Sequence, residues 1–311
     1  MAVLHHPPHT CLGCDIAKDT IAVSCGDQAT VIANRSKDIR RFLRSCKADL
    51  VICEPTGGYE AVLIEECLRR GLPVHRADTR RLKAFIRSRG RIGKSDAIDA
   101  REMVAYGMER WASLSLWRAE NPNDAKLRAL VRRRADLVAI RVAEQNRAMA
   151  PGGRELAVTF EAMLAAINRQ IALLDKEIRR LMRSEAFAAR ASIAMAMTGI
   201  ADTTAAALIA TMPELGTLDR KKAAALAGLA PHPNESGNKI GYRRMRGGRP
   251  VMRTILFMPA MQAACGRGEF AIFYKRLVEA GKKPIIAIAA VMRKIVVTLN
   301  ARFRDQIIQQ S

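Results

Sequence analysis

Apolar and polar positions alternate from Cys11 onward, and Leu12, Ile16, Ile21 and Val23 mark a hairpin of two strands over residues 11–24. Residues 31–34 read as a third strand. The period then changes. Ile39, Phe42, Leu43 and Cys46 fall at three- and four-residue steps, so 36–46 is a helix. The apolar run 49–53 is a buried strand that ends at Glu54-Pro55-Thr56-Gly57-Gly58, a turn leading into a helix over 59–70. Residues 72–75 form a short strand and 79–91 a basic helix or loop. A last helix opens at Asp96 and runs to about Met108, so the first 110 residues read β-β-β-α-β-α-β-α.

Beyond a linker with Trp111, Trp117 and Pro122, helical spacing takes over. Residues 124–150 place Leu127, Leu130, Val131, Leu137, Val138 and Val142 on one face and arginines on the others. Pro151-Gly152-Gly153 breaks that helix. A second one over 156–183 repeats Leu164, Ile167, Ile171, Leu174, Ile178 and Leu181 in steps of three and four, the spacing of an antiparallel hairpin or an intermolecular coiled coil. From residue 188 the composition turns Ala-rich, with short helices at 203–212 and 218–229 and apolar helices at 251–265 and 285–300. The expected organisation is α/β plus all-α: an N-terminal domain at 1–110, a linker and coiled-coil arm at 111–187, and a small helical domain at 188–311.

Charge narrows the partners. The chain has 311 residues and carries 52 Lys+Arg against 30 Asp+Glu, a net charge of +22. That excess calls for a polyanion, nucleic acid first and an anionic membrane surface second. No apolar run reaches the roughly 18 residues of a bilayer span, and no signal-peptide core follows the N-terminus, so the chain reads as soluble and cytoplasmic, with no membrane partner. Six of the seven cysteines lie in the first 70 residues inside apolar runs, as buried thiols of a reducing compartment. Cys11-Leu12-Gly13-Cys14 has no second pair, so Cys14 reads as a core residue of the first strand and not as a metal ligand.

The candidate chemistry is carboxylate chemistry. Asp15 interrupts an apolar strand, Glu54 ends a later strand ahead of a Gly-rich turn, and Asp96 and Asp99 stand one helical turn apart. Taken alone, the last pair is an N-cap and a dipole partner. Taken with Asp15 and Glu54, it follows the arrangement of RNase H-like nucleases. In those, acids from the first strand, the fourth strand and a late helix converge on two divalent metals about 3.5–4 Å apart.

Two further stretches bear on phosphate. Met197-Thr198-Gly199-Ile200-Ala201 is half of a helix-hairpin-helix turn, weakened by Ala201 where a second glycine is expected. Residues 231–250 form a Gly- and Arg-rich loop holding Ser236 among Arg243, Arg244, Arg246 and Arg249. The residues alone leave two readings, a phosphate-binding loop with Ser236 as one donor, or a serine nucleophile among cations. Arg80, Arg81, Lys83 and Arg87, in the basic stretch before Asp96, are candidates for nucleic-acid backbone contacts.

In order along the chain, Gly13-Cys14-Asp15-Ile16-Ala17-Lys18, Cys53-Glu54-Pro55-Thr56-Gly57, Lys94-Ser95-Asp96-Ala97-Ile98-Asp99-Ala100-Arg101, Ser236-Gly237 and Arg253 through Ala260 resemble one family. It is the insertion-sequence transposases that pair a RuvC-like four-acid domain with a C-terminal serine transposase domain, the bridge-RNA-guided recombinases related to the pilin-gene invertases. The resemblance implies that Asp15, Glu54, Asp96 and Asp99 bind Mg2+, with Mn2+ as a substitute, and that Ser236 attacks a DNA phosphate. It also implies donor and target DNA and a guide RNA as partners, and a tetramer built as a dimer of dimers. The location implied is the bacterial cytoplasm, on the nucleoid. Residues 242–249 are richer in Arg and Gly than some members, which leaves the phosphate ligands unassigned. The rival readings are a metal-dependent nuclease or junction resolvase that uses water, and a nucleic-acid-binding protein without catalysis.

Overall fold

The computed structural model describes residues 3–26, 28–90, 96–236 and 239–310; the side chains of 96–98, 235–236, 239–240, 242 and 310 lie outside the description. The chain parts into two compact units, residues 1–120 and 121–311.

Unit 1 is built on a five-stranded sheet in the order β3-β2-β1-β4-β5. Its strands are β1 (Cys11–Ile16), β2 (Thr20–Cys25), β3 (Gln28–Ala33), β4 (Leu50–Cys53) and β5 (Val74–Arg76). The first three form an antiparallel meander, and β1, β4 and β5 run parallel. The helices are α1 (Ser36–Ser45), α2 (Ala61–Arg69), α3 (Thr79–Ser88) and α4 (Asp96–Arg110). The element order is the expected one with α3 added where a basic helix or loop is expected, and it is compatible with an RNase H-like domain.

Alternation along β1 and β4 sorts the core into two layers. Leu12, Cys14, Ile16, Val51 and Cys53 pack with Ile39 and Leu43 of α1 and Leu63 and Cys67 of α2. Cys11, Leu50 and Ile52 pack on the other face with Leu82 and Phe85 of α3 and Met103 and Tyr106 of α4. The Cys11/Cys14 pair therefore divides between opposite layers and cannot share an ion. Burial pushes the Cys11 thiol up to about 12 and Cys14 well above its ordinary value. Part of the expected linker lies along β5: Trp117 N donates to Val74 O at 2.6 Å, and His75 Nδ1 lies 2.8 Å from Ser115 O.

Unit 2 begins with α5 (Pro122–Met149) and α6 (Ala157–Met182). Asn121 caps α5 by accepting from Asn123 N at 2.9 Å, with Pro122 in the first turn. The connection turns at Gly152, whose φ of 83° suits only glycine without strain. Arg134 pairs with Asp175 at 2.5 Å and Arg141 donates to Asn168 at 3.3 Å, which makes the two helices an antiparallel pair closed over Leu137, Ile167 and Ile171. Leu127, Ile178, Leu181 and Met182 of these helices share one core with α7 (Ala188–Met195), α8 (Asp202–Thr211), α9 (Arg220–Leu226), α10 (Val251–Cys265), α11 (Glu269–Glu279) and α12 (Pro284–Gln310).

Two expectations need correction. Residues 231–250 are not a plain loop: β6 (Pro231–Ser236) and β7 (Lys239–Met245) pair as an antiparallel hairpin with a bulge near His232. Glycine and arginine content hid the strands, because neither residue type signals an extended ladder. Two helices, residues 153–182 and 284–309, are also long and apolar enough to meet a bilayer-span criterion by length and composition. In α12 that apolarity is core: Val291, Ile295, Val296 and Leu299 are fully buried. In α6, Ile167, Ile171 and Ile178 are buried within unit 2, and Asp175 pairs with Arg134.

Candidate active site

The strand register and the path of α4 bring three of the four expected acids toward one end of the sheet in unit 1. The parallel register pairs Cys14 with Cys53, so Asp15 and Glu54, the next residues, lie side by side on adjacent strands. Both follow the alternation of Cys11 and Ile52, which places them on the α4 layer. Helix α4 brings Asp99 to them through two close approaches. A β-carbon on Gly13 would lie 1.9 Å from Ala100 O, and one on Gly107 would lie 2.4 Å from Cys11 Sγ. Ala100 therefore sits over Gly13 and Gly107 over Cys11, so α4 runs back along β1 and starts at the end that carries Asp15. Asp96 opens the same helix one turn before Asp99, and its side chain lies outside the described residues.

Glu54 feels the other two described carboxylates. Burial pushes the Glu54 carboxyl above its ordinary value, Lys83 pulls it back, and Asp15 and Asp99 push it further up. Like charges gathered at a half-buried site repel, and a cation reverses the sign. Among the described residues no group of three or more His, Cys, Asp or Glu side chains stands close enough to hold a metal ion, and Asp96, the fourth expected ligand, has its side chain outside them. The donor set is all oxygen, which suits magnesium or manganese over softer ions.

Two residues that sequence reasoning passed over hold the frame. Glu60 is buried, and its Oε2 accepts from Thr56 N at 3.0 Å, Thr56 Oγ1 at 3.0 Å and Gly58 N at 2.9 Å. Burial pushes its carboxyl up, but these donors outweigh burial and leave it below the ordinary range. It thereby fixes the turn after Glu54, where Gly57 and Gly58 have φ of 79° and 122°. Asn34 Nδ2 donates to Ala17 O and to Tyr59 O, both at 3.1 Å, and so ties the turn after Asp15 to the turn after Glu54. An acid shortly after a Gly-Gly turn at a helix start is a legible signal for Glu60. Asn34 has no comparable signal, because its partners are backbone carbonyls distant in sequence.

The basic residues sort by what they touch. Arg80, Arg81, Lys83 and Arg87 are exposed on α3, whose first turn Asp78 caps by accepting from Arg80 N and Arg81 N. Arg89 pairs with Glu102 at 3.0 Å and Glu109 at 2.5 Å, joining α3 to α4. In unit 2, Ser236 ends β6, and its side chain lies outside the described residues. Arg243, Arg244 and Arg246 are exposed on or just after β7. Arg249 is instead held inside the unit: it forks onto Glu214 at 2.7 and 2.6 Å and donates to Thr211 O. Gly199, in the hairpin-like turn before α8, packs against α10, where a β-carbon would meet Pro259 O at 2.6 Å. The acids and the serine hairpin thus belong to different units.

Residues 12–150 match the DEDD domain of IS110-type transposases, a family described as Transposase. Residues 191–275 match the Transposase IS116/IS110/IS902 family. The chain thus resembles transposases of the IS110/IS116/IS902 type over two separate stretches. It is also 30% identical, over 182 residues, to the insertion element IS116 uncharacterized 44.8 kDa protein of Streptomyces clavuligerus. That stretch is 56% of this chain and 45% of the relative, so the chain is aligned to a little under half of the relative's length.

Proposed function

We propose that the protein is a DNA recombinase of an insertion sequence that cuts and rejoins strands through a serine–phosphate link. The observation that carries this reading is the meeting of Asp15, Glu54 and Asp99 on one face of the sheet, where burial and mutual repulsion raise Glu54. Asp15, Glu54, Asp96 and Asp99 would hold divalent magnesium, which when bound neutralises charge on the attacking and leaving oxygens of phosphoryl transfer. Ser236 Oγ attacks the phosphorus and loses its proton. The bond from phosphorus to the 3′-oxygen breaks, leaving a phosphoserine on one end and a 3′-hydroxyl on the other. Attack of a 3′-hydroxyl on that phosphoserine rejoins a strand and restores the serine.

Arg243, Arg244 and Arg246 would make phosphate contacts beside the hairpin, and α3 would offer Arg80, Arg81, Lys83 and Arg87 to a nucleic-acid backbone. Arg249 serves the hairpin's support through Glu214. Guidance by an RNA that pairs with donor and target DNA would supply sequence choice while these cations supply affinity. The exposed apolar side chains Met149, Leu156, Val158 and Met163 near the α5–α6 turn suit packing between copies in a tetramer, with one copy's acids serving another's serine.

The test is strand cleavage on element-end DNA, with the element's RNA present, in magnesium and in chelator. Wild type should cleave only with metal, and Asp15→Asn and Asp99→Asn should fall to background while still binding DNA. Cleavage in chelator would refute the acid-site reading. Metal-dependent cleavage that never links protein to DNA would favour the water-using nuclease. Binding without cleavage under every condition would favour a non-catalytic binder.

A further inference from the structure

We infer that unit 2 carries a pocket at the base of the β6–β7 hairpin that takes one unstacked nucleobase of a single strand and holds the flanking phosphates with arginines. The inference rests on the nucleic-acid reading above, but needs no strand chemistry. The cavity has a volume of about 480 Å³, within the roughly 300–1,000 Å³ of small-ligand sites. Its wall is mostly apolar, with Met245 at the end of β7, Phe257 on α10 and Ile285, Ile286 and Ile288 on α12, and Arg243, Arg253 and Arg293 add three cations. Among the described residues no carboxylate lines it, and the three arginines make the field there positive.

That combination selects the occupant. A nucleobase has an apolar face for Phe257 and the methionine thioether, and its phosphates meet the guanidinium groups. A purely apolar occupant would place nothing against the positive field. Phe257 is 36% exposed, as are Ile285 and Ile286 of the same cavity at 60% and 48%, and a stacked base would cover this apolar surface. Arg253 is held in place by donating to Gly228 O at 3.2 Å.

The position is informative. In the hairpin register Met245 faces Pro231 at one end, and Lys239 faces Ser236 at the other. The two ends of β6 are five residue steps apart, about 17 Å at 3.4 Å per step. A strand that runs along the hairpin would have one base anchored a few nucleotides from the phosphate presented to Ser236.

The experiment uses the full-length chain and oligothymidine carrying a single central 5-iododeoxyuridine, irradiated and mapped by mass spectrometry. The expected crosslinks fall on Phe257 or Met245. Ala289→Phe, which fills the cavity from its α12 wall, should remove them and weaken binding about tenfold, the loss of one stacked base. Arg293→Ala keeps the cavity open and should weaken binding severalfold, a check that stands if Ala289→Phe fails to fold. Crosslinks confined to residues outside the cavity, with binding unchanged in Arg293→Ala, overturn the inference. So does a change of sedimentation in Ala289→Phe with crosslinking intact, which would make the cavity a contact between copies. The readout is independent of cleavage, so a chain that never cuts DNA can still pass or fail.

Discussion

Gly13 of β1 and Ala100 of α4 are in contact at a distance only glycine permits, since a β-carbon on Gly13 would stand 1.9 Å from Ala100 O. The obstructing atom is backbone, so no side chain can rotate away. Gly13→Ala must therefore displace α4 from the sheet, and Asp99 with it. Overpacking of this kind costs about 1–3 kcal/mol or more. The variant should melt at lower temperature, and at a temperature where it is folded it should have lost metal-dependent cleavage. A variant with unchanged melting and full activity would refute the role given to this contact.

Glu54 should behave as a residue that serves function at the expense of stability. Burial raises its carboxyl, and Asp15 and Asp99 add repulsion. Glu54→Gln removes one of the repelling charges and keeps the shape. In chelator at neutral pH it should melt at or above the wild-type temperature, while magnesium should stabilise it less than wild type and cleavage should vanish. Melting curves with and without magnesium check both arms. Strong destabilisation in chelator would make Glu54 structural.

Asn34 is a positioning residue, with its amide shared between the turn after Asp15 and the turn after Glu54. Asn34→Ala removes bonds worth about 1 kcal/mol each and should leave unit 1 folded. The cleavage rate should fall about tenfold, the effect of about 1.4 kcal/mol at the transition state, with a higher magnesium requirement and unchanged DNA affinity. An unaltered magnesium dependence would reduce Asn34 to a local structural role.

Acid sensitivity should come partly from a site remote from the chemistry. Glu66 is held down to about 2 by hydrogen bonds from Arg40 and Ser36, with Arg69 adding charge. A lowered carboxyl contributes stability that is fully present above its ordinary value of 4.5 and is lost as pH falls toward about 2. Glu66→Gln should lower the melting temperature at neutral pH and flatten its dependence between those limits. Melting followed from pH 7 downward tests this, and a slope equal to wild type would contradict it.

The sheet of unit 1 was legible because its signals are local and periodic. Alternation marks β1 and β2, a four-residue apolar run marks β4, and isolated acids stand out inside apolar stretches. The contacts that turn those acids into a site were not legible. Gly13 looks like any strand glycine until α4 is laid across it, and Asn34 acts through carbonyls that no composition reveals. The β6–β7 hairpin was hidden by its glycines and arginines, which lack the β-branched and aromatic pattern of a strand. Arg249 and Arg246 look alike in sequence, yet Glu214, 35 residues from Arg249, holds it inside the unit. The apolarity of α12 resembles a span by composition, and only its central place in the core of unit 2 separates the two.

The central claim is that acids in unit 1 and a serine in unit 2 act on the same phosphate. The most direct measurement is mass spectrometry of protein–DNA adducts trapped from the element-end reaction in magnesium. Wild type should yield a peptide with DNA phosphate on Ser236. Ser236→Ala and Glu54→Gln should each yield none, and mixing the two variants should restore the adduct on the Glu54→Gln chain. A DNA-linked peptide carrying any residue other than Ser236, or an adduct on Ser236 that persists in Glu54→Gln alone, would contradict the account.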